Sequence, residues 1–168
     1  MILIAYDGSE DAKAAIQHAG KLMPGAATTV LTIWEQFETM LAKTPAVLRP
    51  LARVNEADEI DREEANAAEE SAVEGLQLAR AAGLDATSLT APDAGSAADT
   101  IIEQANRLDV DAIVVGSRGL TGMQLLLGSV SLSLVQRANR TVVIVPSSEV
   151  ATQRQRDSGQ SITTGGTG

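Results

Sequence analysis

The chain has 168 residues, the length of one ordinary domain, and it carries 13 basic and 22 acidic side chains for a formal net charge of -9. That balance argues against a protein that grips nucleic acid through its phosphates or docks on anionic lipid. Cysteine is absent and histidine occurs once, which excludes thiol catalysis and multi-histidine metal sites. No apolar run approaches the roughly 18 residues of a membrane span, so we expect a cytoplasmic protein.

Short apolar runs alternate with amphipathic segments along the chain. The first run, 1–6, predicts a strand buried on both faces, and Ser9 is placed to cap the helix that follows. Further strands are predicted over 28–34, 85–90, 111–115 and 141–145, with further helices over 56–82, 96–107 and 124–138. This alternation indicates parallel strands joined by right-handed crossovers, a single α/β domain.

Two stretches do not fit this alternation. Residues 35–55 contain two prolines and are predicted to be irregular. Residues 151–168 offer almost nothing to bury, so we expect a domain over 1–148 followed by a disordered tail over 149–168.

Two loops that leave strand ends carry unusual residues. Asp7, Gly8 and Ser9 follow the first strand, and the glycine-containing segment 116–122 follows the fourth. If these strands are neighbours, the loops face one another across a crevice of the kind that binds ligands in open α/β sheets. Glycine-rich backbone ahead of a helix offers N–H donors to phosphate, and a strand-end carboxylate can accept from ribose hydroxyls or help hold a cation.

Structural alternatives exist for each of these residues. The three glycines can form a tight turn, Asp7 can be a helix-entry residue, and Ser9 is better explained as a cap than as a nucleophile because no histidine is placed to activate it. His18 is interpreted as a surface or boundary residue. Trp34 is interpreted as a core or rim aromatic that could also border a base.

The sequence resembles the universal stress proteins of the UspA type over about residues 1–147. The resemblance rests on the opening ILIAYDGSEDAKAAIQHA, on TVLTIW, and above all on DAIVVGSRGLTGMQLLLGSVSLSLV followed by TVVIVP. It implies a doubly wound, Rossmann-like sheet of five parallel strands in the order 3-2-1-4-5. Family members with the glycine signature G-x2-G-x9-G, followed by Ser or Thr, typically bind ATP.

The resemblance also implies which residues would bind ATP, together with Mg²⁺. Ala5 and Asp7 would flank the nucleotide, and Ile33 would contact adenine. The loop around ribose and phosphates would comprise Gly116, Ser117, Arg118, Gly119, Leu120, Thr121 and Gly122, and the triphosphate site would be completed by Gly128, Ser129 and Val130. This chain departs from the signature in one respect, because eight residues instead of nine separate Gly119 from Gly128.

Three functions are therefore to be compared. The first is a regulatory protein that holds ATP as a ligand, without being an enzyme, and that forms a homodimer through its fifth strand. The second is a slow ATP hydrolase or phosphotransferase using the same crevice, which would lack a histidine base and a phosphate-loop lysine. The third is a dimeric stress protein that binds no nucleotide.

Overall fold

A computed structural model describes residues 1–48, 56–93, 95–118, 127–147 and 151–152 of the chain. Within these residues a parallel sheet has the strand order β3-β2-β1-β4-β5. Its strands are β1 (Ile2–Ala5), β2 (Ala27–Trp34), β3 (Asp85–Pro92), β4 (Ala112–Gly116) and β5 (Thr141–Val145). The predicted α/β fold and the implied order are both confirmed.

Helices cover both faces of the sheet, and their bounds are α1 (Glu10–Leu22), α2 (Phe37–Lys43), α3 (Ala57–Ala81), α4 (Ala97–Arg107) and α5 (Ser129–Arg137). Side chains alternate across each strand, so Ile2 and Ile4 pack with α1 and α3 on one face. Leu3 points to the opposite face and packs with α4 and α5. Since both faces are covered, the central strands β1 and β4 carry no polar side chain.

The segment predicted to be irregular contains a helix, α2. Phe37 at its start is buried, and the backbone N–H of Phe37 donates to the Asp61 carboxylate of α3 at 2.6 Å. The helix ends at Lys43, two residues before Pro45, since a residue preceding proline is disfavoured in helical conformation. The prediction for 35–55 was wrong over α2, and residues 49–55 lie outside the described part of the chain.

The last helix begins later than predicted. Leu127 is not helical, and Gly128 is extended, with φ -61° and ψ 157°, as the N-cap of α5. The prediction of a continuous helix over 124–138 is therefore wrong, because α5 begins at Ser129. The third strand runs two residues beyond its predicted end, and it tolerates Pro92 because it lies at the edge of the sheet.

The predicted domain boundary at residue 148 and most of the predicted tail, 153–168, fall outside the described residues. Ala151 and Thr152 are described, and they are helical, with the Ala151 N–H donating to the Ser147 carbonyl at 2.9 Å. Disorder of the tail over 149–168 stays a prediction. None of the described helices has the length and apolar character needed to cross a membrane.

Candidate functional site

A cavity of about 680 Å³ opens at the carboxyl edge of the sheet, a volume typical of small-ligand sites. It lies where β1 and β4 are neighbours. The chain passes from β1 outward to β3 and then returns to β4 on the other side, so this is the point where the strand order reverses. Open α/β sheets bind their ligands at such a point.

The middle of the cavity is apolar. Its wall is formed by strand residues and by residues of α4 and α5 that also belong to the core on that face of the sheet. They are Ala5, Leu31, Ile33, Ile101, Val115 and Val130. Ala97 of α4 also lines the cavity. A flat, weakly polar group such as a heterocyclic base would bury its faces here.

Main-chain groups of β2 are exposed to this apolar region. The Tyr6 N–H donates to the Leu31 carbonyl at 2.8 Å, so the main-chain groups of Leu31 face β1. Peptide groups alternate sides along a parallel strand, which places those of Ile33 on the same side. The pairing of β1 with β2 ends at Ala5 and Leu31, so the N–H and C=O of Ile33 lie beyond the last paired residues of β1.

Three charged side chains form one end of the cavity. The Lys43 ammonium group donates to Glu35 Oε1 at 2.7 Å and to Asp93 Oδ2 at 3.0 Å. The hydrogen bonds that Lys43 donates to these two carboxylates raise its pKa. The Asp93 side chain is only 8% exposed, and its Oδ1 atom is buried without a hydrogen-bond partner among the described residues.

The opposite end of the cavity combines a cation with a helix N-terminus. Arg118 follows β4, and Gly128 and Ser129 begin α5. Gly128 has no side chain to accept from the first-turn amides of α5, so these N–H groups and the helix dipole favour a bound anion. Asp7 lies at the same edge, where its carboxylate is exposed and accepts from the Ser9 N–H at 3.0 Å.

The residues at the two ends of the cavity come after strands that are three positions apart in the sheet. Asp93 comes after β3 and Arg118 after β4, with β2 and β1 between them. At the usual strand spacing this corresponds to about 14 Å. The site therefore suits an elongated ligand with a base-like group at one end and an anion at the other.

A buried hydrogen-bond network holds the beginning of the loop after β4. Asp11 of α1 accepts at Oδ2 from the Ser117 hydroxyl at 2.6 Å and from the Arg118 N–H at 3.0 Å. Burial alone would raise the pKa of Asp11, but hydrogen bonds from Ser117 and Ser147, together with the Arg118 cation, hold this pKa below its ordinary value. Asp11 is therefore an ionised anchor.

Close packing supports the same anchor. A Cβ atom on Gly116 would lie 2.7–2.9 Å from backbone and Cβ atoms of Asp11 and Ala12, so only glycine lets α1 approach β4 this closely. On the other side, the Ser131 hydroxyl donates to the Gly116 carbonyl at 2.8 Å, and the Gly128 N–H donates to the Ser117 carbonyl at 2.8 Å. These bonds fix α5 against the end of β4.

The structure brings most of the proposed site residues together around the cavity. Those that line it are Ala5, Asp7, Ile33, Gly116, Arg118, Gly128, Ser129 and Val130. Ser117 does not belong to the lining, because its fully buried side chain points to Asp11. Gly119, Leu120, Thr121 and Gly122 lie outside the described residues.

Other interpretations of single residues can also be compared with the structure. Ser9 is the N-cap of α1, where its hydroxyl accepts from the Ala12 N–H at 3.2 Å, as predicted. His18 is exposed on α1, also as predicted. Trp34 lies at the rim and lines the cavity.

The sequence interpretation missed Glu35, Lys43, Asp93 and Asp11. The first two lie in or next to the segment predicted to be irregular, so nothing assigned them to a sheet edge. A weaker signal existed for Asp93, because this acidic residue comes three positions after the end of the third predicted strand, whereas Asp7 directly follows the first. Nothing in the local sequence distinguishes Asp11 from other acidic residues of a first helical turn.

Comparisons with known proteins extend these observations. A family model described as the universal stress protein family matches residues 1–146. No match was found among curated proteins.

Several solved structures have the same fold. The universal stress protein UspA from Lactobacillus plantarum is 22% identical, with a TM-score of 0.65 over 86% of this chain and 95% of its own. The universal stress protein from Archaeoglobus fulgidus in complex with dAMP is 19% identical, with a TM-score of 0.58 over 86% and 95%. A universal stress protein family protein from Arabidopsis thaliana with AMP bound is 15% identical, with a TM-score of 0.56 over 89% and 97%.

The family match spans all five described strands, and the sheet order agrees with the one that the sequence resemblance implied. This chain belongs to the universal stress protein family.

Proposed function

We propose that this protein binds an adenine nucleotide, ATP, in the cavity and acts as a regulatory protein in a stress response. One observation carries the proposal: a single cavity joins the main-chain groups of Ile33, an apolar middle, and the cationic end at Arg118. The N–H and C=O of Ile33 match the acceptor and donor on the Watson–Crick edge of adenine. The apolar walls suit the faces of the base.

The phosphates would occupy the end formed by Arg118 and the first turn of α5. A guanidinium group can bind two phosphate oxygens at once, and the amides of Ser129 and Val130 add neutral donors. The anchoring of Ser117 by Asp11 keeps the start of this loop in place before ligand arrives. Related proteins crystallised with dAMP and AMP support an adenine nucleotide as the ligand class.

A magnesium ion would accompany the phosphates. Among the described residues no group of three or more acidic or histidine side chains is arranged to hold a metal. Mg²⁺ bound with a nucleotide needs only one or two protein carboxylates, and the exposed carboxylate of Asp7 fits that role. The ion would neutralise part of the phosphate charge.

We further propose that the bound ATP is held and not turned over at metabolic rates. The one histidine of the chain, His18, is exposed on α1 and does not line the cavity. Lys43 is engaged by two carboxylates at the base end, away from the phosphates. Phosphate release below about 1 per second is expected. Faster release that disappears in Asp7→Ala would support the phosphotransfer alternative.

A homodimer through β5 is part of the proposal. β5 ends the sheet, and its residues Val142, Val143 and Ile144 are only half-buried, while Leu132 and Val135 of the neighbouring helix α5 are exposed. Pairing two such edges around a two-fold axis would cover them. Light scattering at micromolar concentration should give a dimer mass, and a monomer would contradict this arrangement. A cytoplasmic location stays a prediction.

The experiment for the proposed function is native mass spectrometry of the purified protein, followed by calorimetric titration with ATP and magnesium. Co-purified adenine nucleotide, or saturable binding that ADP competes for, is the expected result. The absence of bound nucleotide together with the absence of heat at millimolar ATP would favour the nucleotide-free alternative.

A further inference from the structure

The buried carboxylate at the base end of the cavity is only partly satisfied. Lys43 occupies Asp93 Oδ2, whereas no described residue donates to Oδ1. A buried, unpaired carboxylate oxygen is costly unless a donor reaches it. Since Asp93 lines the cavity, a ligand bound there can supply that donor.

Asp93, which comes directly after β3, and Ile33 of β2 lie on neighbouring strands at the carboxyl edge of the sheet. Ile33 pairs with Ala91, Trp34 pairs with Pro92, and the Asp93 N–H donates to the Trp34 carbonyl at 2.8 Å. Ile33 and Asp93 both line the cavity, and each offers it an acceptor, the Ile33 carbonyl and Asp93 Oδ1. The exocyclic amine of adenine carries two hydrogens, one for each acceptor, whereas a 6-oxo base would bring a third oxygen against them.

We propose that Asp93, held in place by Lys43, is the specificity-determining residue that selects a 6-amino purine over a 6-oxo purine. This inference rests on the proposed function and adds base discrimination to it. Lys43 fixes one oxygen of the carboxylate, which leaves the other with a defined position toward the base. The Asp93 carboxylate lies at the end of the cavity away from Arg118, so its negative charge does not repel the phosphates.

The test compares three purine 5′-monophosphates: AMP, purine riboside 5′-monophosphate, which lacks only the 6-amino group, and IMP, which has an oxygen at the six-position and a hydrogen on N1. Calorimetry measures each affinity, and the fluorescence of Trp34, the only tryptophan, gives a second readout. Wild-type protein should bind AMP about ten-fold or more tightly than either analogue, the factor expected of a hydrogen bond to a charged group. Asp93→Ala should reduce the preference for AMP over purine riboside monophosphate by about the same factor.

Asp93→Asn gives a result that loss of structure alone would not produce. In this variant the Lys43 ammonium group, which is only a donor, pairs with the side-chain amide oxygen. The amide nitrogen then takes the place of Oδ1 and donates toward the base. IMP should therefore gain affinity relative to AMP in this variant. Asp85→Asn, an exposed change at the other end of β3, should behave like wild-type protein.

The possible outcomes separate the two proposals. Equal binding of all three ligands by wild-type protein, or an unchanged preference in both Asp93 variants, contradicts the role of Asp93 and leaves nucleotide binding standing. Absence of binding of every nucleotide contradicts the proposed function and this inference with it. The two Asp93 variants are measured in parallel, so the role of Asp93 stays testable if one of them fails to fold.

Discussion

The Ser117 hydroxyl donates to Asp11 Oδ2 at 2.6 Å, joining two residues that are 106 positions apart in the chain. This bond connects the first turn of α1 to the end of β4, next to Arg118 at the cationic end of the cavity. Ser117 also donates its N–H to the Val145 carbonyl at 2.8 Å, so the same residue ties in β5. The loop that follows therefore starts from a rigid base.

Replacing Asp11 with asparagine should destabilise the fold. The carboxylate is buried and accepts two bonds at one oxygen, and hydrogen bonds to a charged group are worth about 1.5–3 kcal/mol. Urea unfolding near neutral pH should show a loss of about 2 kcal/mol in the free energy of unfolding. Asp85→Asn, exposed at the start of β3, is the matched control.

The pH dependence of this loss has a definite sign. The pKa of Asp11 is lower in the folded protein than in the unfolded chain. The stability that its carboxylate contributes is therefore fully present above the pKa of the unfolded chain and is lost as the pH falls through the pKa of the folded protein. The difference between wild-type protein and Asp11→Asn should therefore shrink below about pH 4. A difference that is the same at neutral and acid pH would contradict an ionised Asp11.

Arg118→Gln should weaken the binding of the phosphates without weakening the binding of the adenine base. The backbone N–H of residue 118 still donates to Asp11, so the start of the loop is retained. Calorimetry should show an ATP affinity about ten-fold lower, since a charged hydrogen bond is lost, with adenosine binding unchanged. Arg107→Gln on the exposed end of α4 is the control. An equal loss for adenosine would mean that Arg118 acts on the fold of the whole site.

The short loop between Gly119 and Gly128 should reduce affinity for ATP. The family signature has one more residue here, and inserting one glycine after Gly122 restores that length. The insertion should improve ATP binding about ten-fold or more, if it restores one charged hydrogen bond, and leave adenosine binding unchanged. Tight ATP binding by wild-type protein that does not improve on insertion would show that loop length is irrelevant.

The tail is expected to be dispensable up to a definite point. Ending the chain after Ser148 should change the free energy of unfolding by less than about 1 kcal/mol, which is about 2–4 °C in melting temperature. Ending the chain after Pro146 also removes the Ser147 hydroxyl that donates to Asp11, and it should lower the free energy of unfolding by clearly more. Equal melting temperatures for the two truncations, or a large drop for the first, would contradict this division.

The sequence was sufficient for the parts of the fold that depend on local patterning. The apolar run 1–6 contains strand β1, the β-branched run ending at Val145 is β5, and Ser9 caps α1. The strand order came from the resemblance, since periodicity alone cannot say which strands are neighbours. The carboxyl-edge loops after β1 and β4 were then predictable as the walls of one crevice.

What the sequence did not reveal depends on contacts between distant residues. Helix α2 is short and is held by the Phe37–Asp61 hydrogen bond, which no local pattern indicates. The Lys43–Asp93 pair and the Asp11–Ser117 pair join residues from different elements, so their roles emerge only when the sheet is assembled. Ion pairs and hydrogen bonds between distant residues leave no periodic signal in the chain.

The central claim, that an adenine nucleotide occupies this cavity, is tested most directly by filling it. Ala97 lines the cavity in the first turn of α4, and Ala97→Trp would fill the space meant for the base, whereas Ala67→Trp places the same side chain on the exposed face of α3. Calorimetry with ATP and magnesium should show saturable binding by wild-type protein and by Ala67→Trp, and loss of that binding in Ala97→Trp with melting behaviour retained. Undiminished ATP binding by Ala97→Trp, or no binding by wild-type protein, would contradict the account.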